Sequence, residues 1–307
     1  MPKPSLKTRL KRWWNYSQLS RRGRSAAEYA RARNTPGMIF DDFGRALGRS
    51  IAAKDYDWGL SLAATPVNIV RYFEFDFVAR HLPAPTDGSR WLDVSSPRLF
   101  SMWASRTFPQ ASVRFANPDP ADANATKYLA SCAGIDRLSI DGAEVAALRG
   151  SGPYQAIWSI SVIEHIDGAY TDADAMRWLY NELAPGGRLL VTLPVDRVYR
   201  EDFRPVDHYN GVQHVNEKGE IFFARFYDLA HLQRRVLDAM PKPPDAIEFW
   251  GEKVAGRYAA YEKRWIRDGL RCTVDDAREI ADHYQSYPDW ASMPGSGIVG
   301  LRYDKPA

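Results

Sequence analysis

Apolar and polar positions follow two rhythms along most of this chain. Val67, Val70, Phe73, Phe77 and Val78 recur near helical spacing, and Thr65-Pro66 suits a helix start. The pattern predicts a helix over 64–82, broken by Pro83, Asp87 and Gly88. Short apolar runs ending in turn residues then alternate with helical stretches. Strands are expected at 90–94, 113–116, 137–140, 154–160 and 188–193. Helices are expected from Leu99, Met102 and Trp103, over the Ala-rich 121–133 up to Gly134, and over 172–183 up to Pro185-Gly186-Gly187. Strands alternating with helices over this length imply a parallel sheet covered on both faces.

The rhythm changes after residue 195. Residues 196–220 are polar and aromatic without a clear period. Phe223, Phe226, Leu229, Leu232 and Val236 predict a helix, with Asp228 as its cap. Ala246–Trp250 and Gly297–Tyr303 read as two further strands. The charged, aromatic stretch 252–287 between them reads as helical, an insertion or lid at about 252–290.

The first residues form a separate pattern. Leu6, Leu10, Trp13 and Trp14 make one apolar stripe on a helix that Ser5 could cap. Lys7, Arg9, Lys11 and Arg12 flank the stripe, and Arg21, Arg22 and Arg24 follow. More than one reading stays open. The tryptophan pair packs on the body of the protein, or residues 5–24 lie in an anionic membrane surface, or the arm meets nucleic acid or is a transit peptide. Residues 1–50 are expected to be a basic helical extension and residues 51–307 one domain.

Charge sharpens this division. The 307 residues carry a net charge of +3. Residues 1–34 hold ten Lys/Arg and one acid, Glu28, for +9, which leaves −6 for the rest. A mildly acidic body does not suit a duplex-binding footprint, so no nucleic-acid partner is expected. Two cysteines, Cys132 and Cys272, exclude a disulfide scaffold and a multi-cysteine zinc site, and suit a reducing cytoplasm. No apolar run approaches membrane-spanning length, and no secretory signal is expected behind the basic start.

Four segments in order carry the chemistry: Trp91-Leu-Asp-Val94, Asn117-Pro-Asp119, the run from Tyr154 to Glu164-His165-Ile166, and Leu183-Ala-Pro-Gly-Gly-Arg-Leu-Leu-Val-Thr-Leu-Pro194. Together they resemble the class I S-adenosylmethionine-dependent methyltransferases. The resemblance implies a Rossmann-like doubly wound α/β sheet, mostly parallel with one antiparallel strand near the end. It also implies S-adenosylmethionine as cofactor. Asp93, Asn117, Asp119, Asp141 and Ser161 all fall at expected carboxyl ends of strands, where open parallel sheets bind ligands. An acid after the second strand can accept both ribose hydroxyls. The resemblance places Asp93 near the cofactor's methionine amine and Asp141 near the adenine amine.

The first turn departs from the family, whose members have a Gly-rich loop there. Here it reads Asp93-Val-Ser95-Ser96-Pro97-Arg98. Glycine allows positive φ and close backbone approach, whereas Pro97 has no N–H. The hydroxyls of Ser95 or Ser96 would have to hold the cofactor instead. Otherwise the chain is a non-catalytic partner that keeps the fold.

A base that removes a hydroxyl proton is sought among Asp207, His208 and His214, in the loop after the fifth strand. The histidine pair lacks a third ligand at a usual spacing, so no metal is expected. Glu164 and His165 are read as scaffold or cofactor-side residues. Trp158, Tyr199, Phe203 and Tyr209 are candidates to line an acceptor pocket. Asp172 and Asp174 resemble a glycosyltransferase metal motif but sit where helix caps are expected. Phe222–Asp228, Phe249–Glu252 and Gly297–Lys305 look like methyltransferases found with bacterial surface-polysaccharide assembly. That narrower resemblance implies a glycan-linked or related small acceptor, on a cytoplasmic enzyme at the inner face of a membrane.

Overall fold

The computed structural model of the chain describes residues 6–207 and 214–307, and for residues 6, 8, 9, 11, 12 and 15 the backbone alone. The contacts divide it into two compact units. One is residues 1–73 with 256–285, and the other is 74–255 with 286–307.

The first unit opens on α1 (Leu6–Arg31), followed by α2 (Met38–Ile51) and α3 (Tyr56–Ala64). Helix α1 buries Gly23, Ala26, Ala27 and Ala30, one small-residue face at helical spacing. The side chain of Arg45 holds the three helices together. It pairs with the buried Asp41 and donates to the carbonyls of Gly23, Ala63 and Ala64 at 3.1, 2.6 and 3.2 Å. Tyr72 donates to the same Asp41 at 2.8 Å. Helices α2 and α3 cross closely because a Cβ on Gly59 would stand 2.4 Å from Ala52 Cα. The tryptophan pair is not covered. Leu10, Trp13 and Trp14 are 57, 55 and 57% exposed.

The helix expected over 64–82 begins later, as α4 (Arg71–His81). Residues 65–70 form a turn, in which the Ile69 N–H donates to the side chain of Asp276 at 3.0 Å rather than to a helical carbonyl. Then come β1 (Ser89–Val94), α5 (Arg98–Thr107), β2 (Ala111–Ala116), α6 (Pro120–Ala133), β3 (Leu138–Asp141), β4 (Tyr154–Ile160), α7 (Asp172–Asn181) and β5 (Leu183–Val195). The segments expected there are found, with small shifts at their ends. Gly134 closes α6 in the left-handed conformation. Strand β5 runs through Pro194, which lies beyond the last residue paired with β4, Thr192, where no N–H is needed on that side.

Residues 196–226 hold what the pattern missed. Strands β6 (Arg200–Arg204) and β7 (Ile221–Phe226) form an antiparallel pair of their own. Phe222, Ala224 and Phe226 are buried at period two, which overrides the period-three match that predicted a helix from Phe223. The helix starts only at α8 (Leu229–Leu232), capped by Asp228, and continues as a π-turn to Leu237.

The remaining elements are β8 (Ala246–Glu252), α9 (Arg257–Asp268), α10 (Leu270–Thr273), α11 (Asp276–His283), β9 (Tyr284–Tyr287) and β10 (Gly297–Asp304). The large sheet has the order β3-β2-β1-β4-β5-β10-β8-β9. The pairs β2/β3, β1/β2, β1/β4 and β4/β5 are parallel, and β10 is antiparallel to both β5 and β8. This is the doubly wound, mostly parallel arrangement with a late antiparallel strand that the sequence predicts. Among the described residues no helix is long and apolar enough to cross a membrane.

Candidate active site

The strand order reverses between β1 and β4, so the crevice at their carboxyl ends is the topological switch point. Each strand is followed there by a serine in the left-handed region, Ser95 at φ 53° and Ser161 at φ 49°. That conformation costs a residue with a Cβ about 1–2 kcal/mol, so the turns must be held in place.

Ser95 donates both its N–H and its hydroxyl to Ala116 O, each at 2.9 Å. Ser96 donates its N–H to Asp93 at 2.9 Å and accepts the Ile160 N–H on Oγ at 2.9 Å. The second oxygen of Asp93 takes the Ser101 hydroxyl. Asp93 is fully buried. Burial raises its pKa to about 6, against the hydrogen bonds from Ser101 and Ser96. Thus Asp93, Ser95 and Ser96 build the turn and tie β1 to the ends of β2 and β4.

Ser161 is anchored from the other side. Its hydroxyl donates to Glu74, a buried carboxylate of α4 that also accepts the Thr192 hydroxyl at 2.8 Å. Nothing local in the sequence marks Glu74, which comes from 87 positions upstream.

The ends of β2 and β3 are more open. Asn117 is buried, and its side chain donates to Asp122 at 2.8 Å and accepts the Asp119 N–H at 2.9 Å. Asp119 caps α6, accepting the Ala121 N–H at 2.8 Å. Asp141 has a side chain 42% exposed and accepts Arg114 Nε at 2.7 Å. Arg98, at the start of α5, pairs with Asp122 and donates to Thr126 at 3.1 Å.

A second cluster lies where β6 and β7 meet the segment after β4. His214 Nδ1 is 2.8 Å from Asp167, and its Nε2 is 3.3 Å from Glu201. The ring stacks on Phe222 with centroids 4.9 Å apart. Arg225 is buried and reaches Asp167 at 2.8 Å and the Ile166 carbonyl at 2.5 Å. Asp167 is partly buried, which would raise its pKa. The hydrogen bonds from His214, with the charge of Arg225, outweigh this and hold it below the usual range. Tyr199 donates to Glu201 at 2.6 Å, and burial with that bond pushes the phenol up to about 12. Sequence reasoning reached His214 but missed Asp167, Glu201 and Arg225. Of the other two base candidates, Asp207 is half-buried, and His208 lies outside the described residues, as does Tyr209.

Several sequence candidates have structural roles. Trp158 does not line an open pocket: it is fully buried, edge-on to Trp91 and Phe100 at 6.0 and 5.4 Å. His165 Nδ1 sits 2.6 Å from the Phe223 carbonyl, a scaffold contact between the β4 end and β7. Asp172 binds Arg235 in two-pronged fashion at 2.7 and 2.9 Å and accepts Tyr227 at 2.9 Å, while Asp174 closes a capping box with Thr171. Among the described residues no group of three or more metal-ligating side chains gathers.

No family model matches the chain, and no curated protein matches it in sequence. Solved structures with a similar chain path include coclaurine N-methyltransferase bound to N-methylheliamine and S-adenosylhomocysteine. It is 10% identical, with 92% of this chain and 100% of that one covered and a TM-score of 0.47. Geranyl diphosphate C-methyltransferase from Streptomyces coelicolor A3(2) is 14% identical over 80% of this chain and 81% of that one, with a TM-score of 0.46. Phosphoethanolamine N-methyltransferase 2 of Haemonchus contortus is 13% identical over 77% and 53%, with a TM-score of 0.45.

Proposed function

We propose that this protein transfers a methyl group from S-adenosylmethionine to a hydroxyl of a glycan-linked or related small acceptor. The observation that carries the reading is the switch point itself. Four adjacent parallel strands, β3, β2, β1 and β4, end in Asp141, Asn117 with Asp119, Asp93 and Ser161 around one reversal of strand order. The set of acceptors suits a nucleoside with a cationic tail. Asp141 and Asp119 are both half-buried; Asp141 can accept from an adenine amine, and Asp119 from ribose hydroxyls. When bound, the cofactor supplies an electrophilic methyl group on a sulfonium.

This chain's own residues would do the rest. A neutral leaving group needs orientation in a water-poor crevice more than acid catalysis. The acceptor hydroxyl must lose its proton, and His214 is the group in this reading that takes it. Asp167 and the stacked Phe222 hold the imidazole, and Glu201 must turn away from Nε2 for a hydroxyl to enter. The glycan-linked acceptor rests on the narrower sequence resemblance, whose segments fall mainly on β7, β8 and β10. It would place the enzyme in the cytoplasm, at the inner face of a membrane.

One observation favours a second reading, a non-catalytic partner with the same fold. The polar side chains of the first turn bond to the protein's own backbone and to Ser101, and Pro97 offers no N–H. Calorimetric titration with S-adenosylhomocysteine separates the two. One-to-one binding supports the methyltransferase. A cooperatively folded sample that binds nothing, and that co-purifies with another enzyme, supports the partner.

A further inference from the structure

The outer face of α1 has a composition that nothing in its own unit uses. Leu10, Trp13 and Trp14 stand at i, i+3 and i+4, and each is more than half exposed. At 3.6 residues per turn, Arg21 and Arg24 continue the same face, all five falling within about 100° around the axis. Lys7 lies at its far end, and Lys7, Arg21 and Arg24 are all exposed. The opposite side is the buried run Gly23, Ala26, Ala27 and Ala30, so the helix cannot roll over to hide its tryptophans without losing that packing. A Cβ on Gly23 would stand 2.3 Å from the Ala64 carbonyl, which shows how tightly this side is seated.

Among the described side chains of the helix, two other arginines are engaged within the unit: Arg22 pairs with Asp275, and Arg31 with Asp42 at 2.6 Å. Glu28 is the one acid of α1.

We infer that this face of α1 docks on an anionic lipid surface, through the apolar wedge of Leu10, Trp13 and Trp14 together with the cationic row of Lys7, Arg21 and Arg24. Charge complementarity selects the partner's sign, since residues 1–34 carry +9 and the remainder −6. The wedge selects its class. Indole rings with flanking cations match the boundary between headgroups and acyl chains. A nucleic acid would satisfy the cations and leave Leu10 in water. The inference is independent of methyl transfer, so a failed cofactor titration leaves it standing.

The test uses the full chain with vesicles of phosphatidylcholine alone, or of phosphatidylcholine mixed with phosphatidylglycerol. Sedimentation with the mixed vesicles only is expected, with a blue shift of tryptophan fluorescence. The double variant Trp13→Ala/Trp14→Ala should lose at least tenfold in binding while its melting temperature stays unchanged. Arg21→Gln/Arg24→Gln should weaken binding and flatten its salt dependence. No sedimentation with mixed vesicles overturns the proposal. So does sedimentation that the tryptophan variant retains, or a preference for a short DNA duplex over the vesicles.

Discussion

Asp276 is a carboxyl whose charge its surroundings oppose. It is buried, and its Oδ2 accepts Tyr261 and the Ile69 N–H at 2.9 and 3.0 Å. Burial, helped by the nearby Glu279, raises its pKa to about 8 against those bonds. The folded state therefore keeps a proton that the unfolded chain loses near pH 4. Its contribution is complete at pH 4 and below, and declines as pH rises from 4 to 8. Asp276→Asn should flatten the fall of melting temperature across that window, and a variant with the wild-type slope would refute the assignment. Asp93 has the same sign over the narrower range from pH 4 to 6. Ser95 gives a cleaner comparison. Ser95→Gly removes the hydroxyl bond to Ala116 but relieves the left-handed strain, whereas Ser95→Ala loses the bond and keeps the strain. The glycine variant should be the more stable of the two by about 1 kcal/mol in urea titrations.

At the scale of elements, β1 to β5 and α5 to α7 were legible because their apolar runs are buried and Gly or Pro punctuates them. Strand β6 was not. All five of its residues are half-buried, and Arg, Glu and Asp alternate in it with one Phe, so no apolar period exists to be read. Of the candidate site, the placement of residues at strand ends was legible to the same degree. Strand ends are local features, and Asp93, Asp119, Asp141 and Ser161 were found there. The partners of His214 and Ser161 come from 47 and 87 positions away, a pairing that no window of sequence contains. One packing detail between elements gives a direct test. Gly300 in β10 faces Phe77 of α4, and a Cβ there would stand 2.8 Å from the ring. With β5 and β8 bonded on either side, β10 has little room to shift. Gly300→Ala should cost about 1–3 kcal/mol by chemical denaturation, and a neutral effect would mean that the ring moves freely.

For the molecule as a whole, the described side chains of α1 that are buried in their unit lie in its second half. Of the described side chains, deleting residues 1–14 removes only the exposed Lys7, Leu10, Trp13 and Trp14, and it should cost less stability than a deletion that reaches the buried alanines. Deleting 1–31 also strips Ala26, Ala27 and Ala30 from their packing and takes the Gly23 carbonyl from Arg45, and the melting temperature should fall clearly. Equal melting temperatures for the two truncations would contradict the packing described. The order of the large sheet bears on how the chain is made. Strand β10 separates β5 from β8 in space yet follows both in sequence. When β8 leaves the ribosome, its neighbours on either side do not yet exist, and 44 residues lie between Glu252 and Gly297. At ordinary rates of synthesis that is an interval of about 2–9 s in which a bare strand edge can find the wrong partner. Glu248, in the middle of that strand, gives the waiting edge a charge that opposes aggregation until its own neighbour arrives.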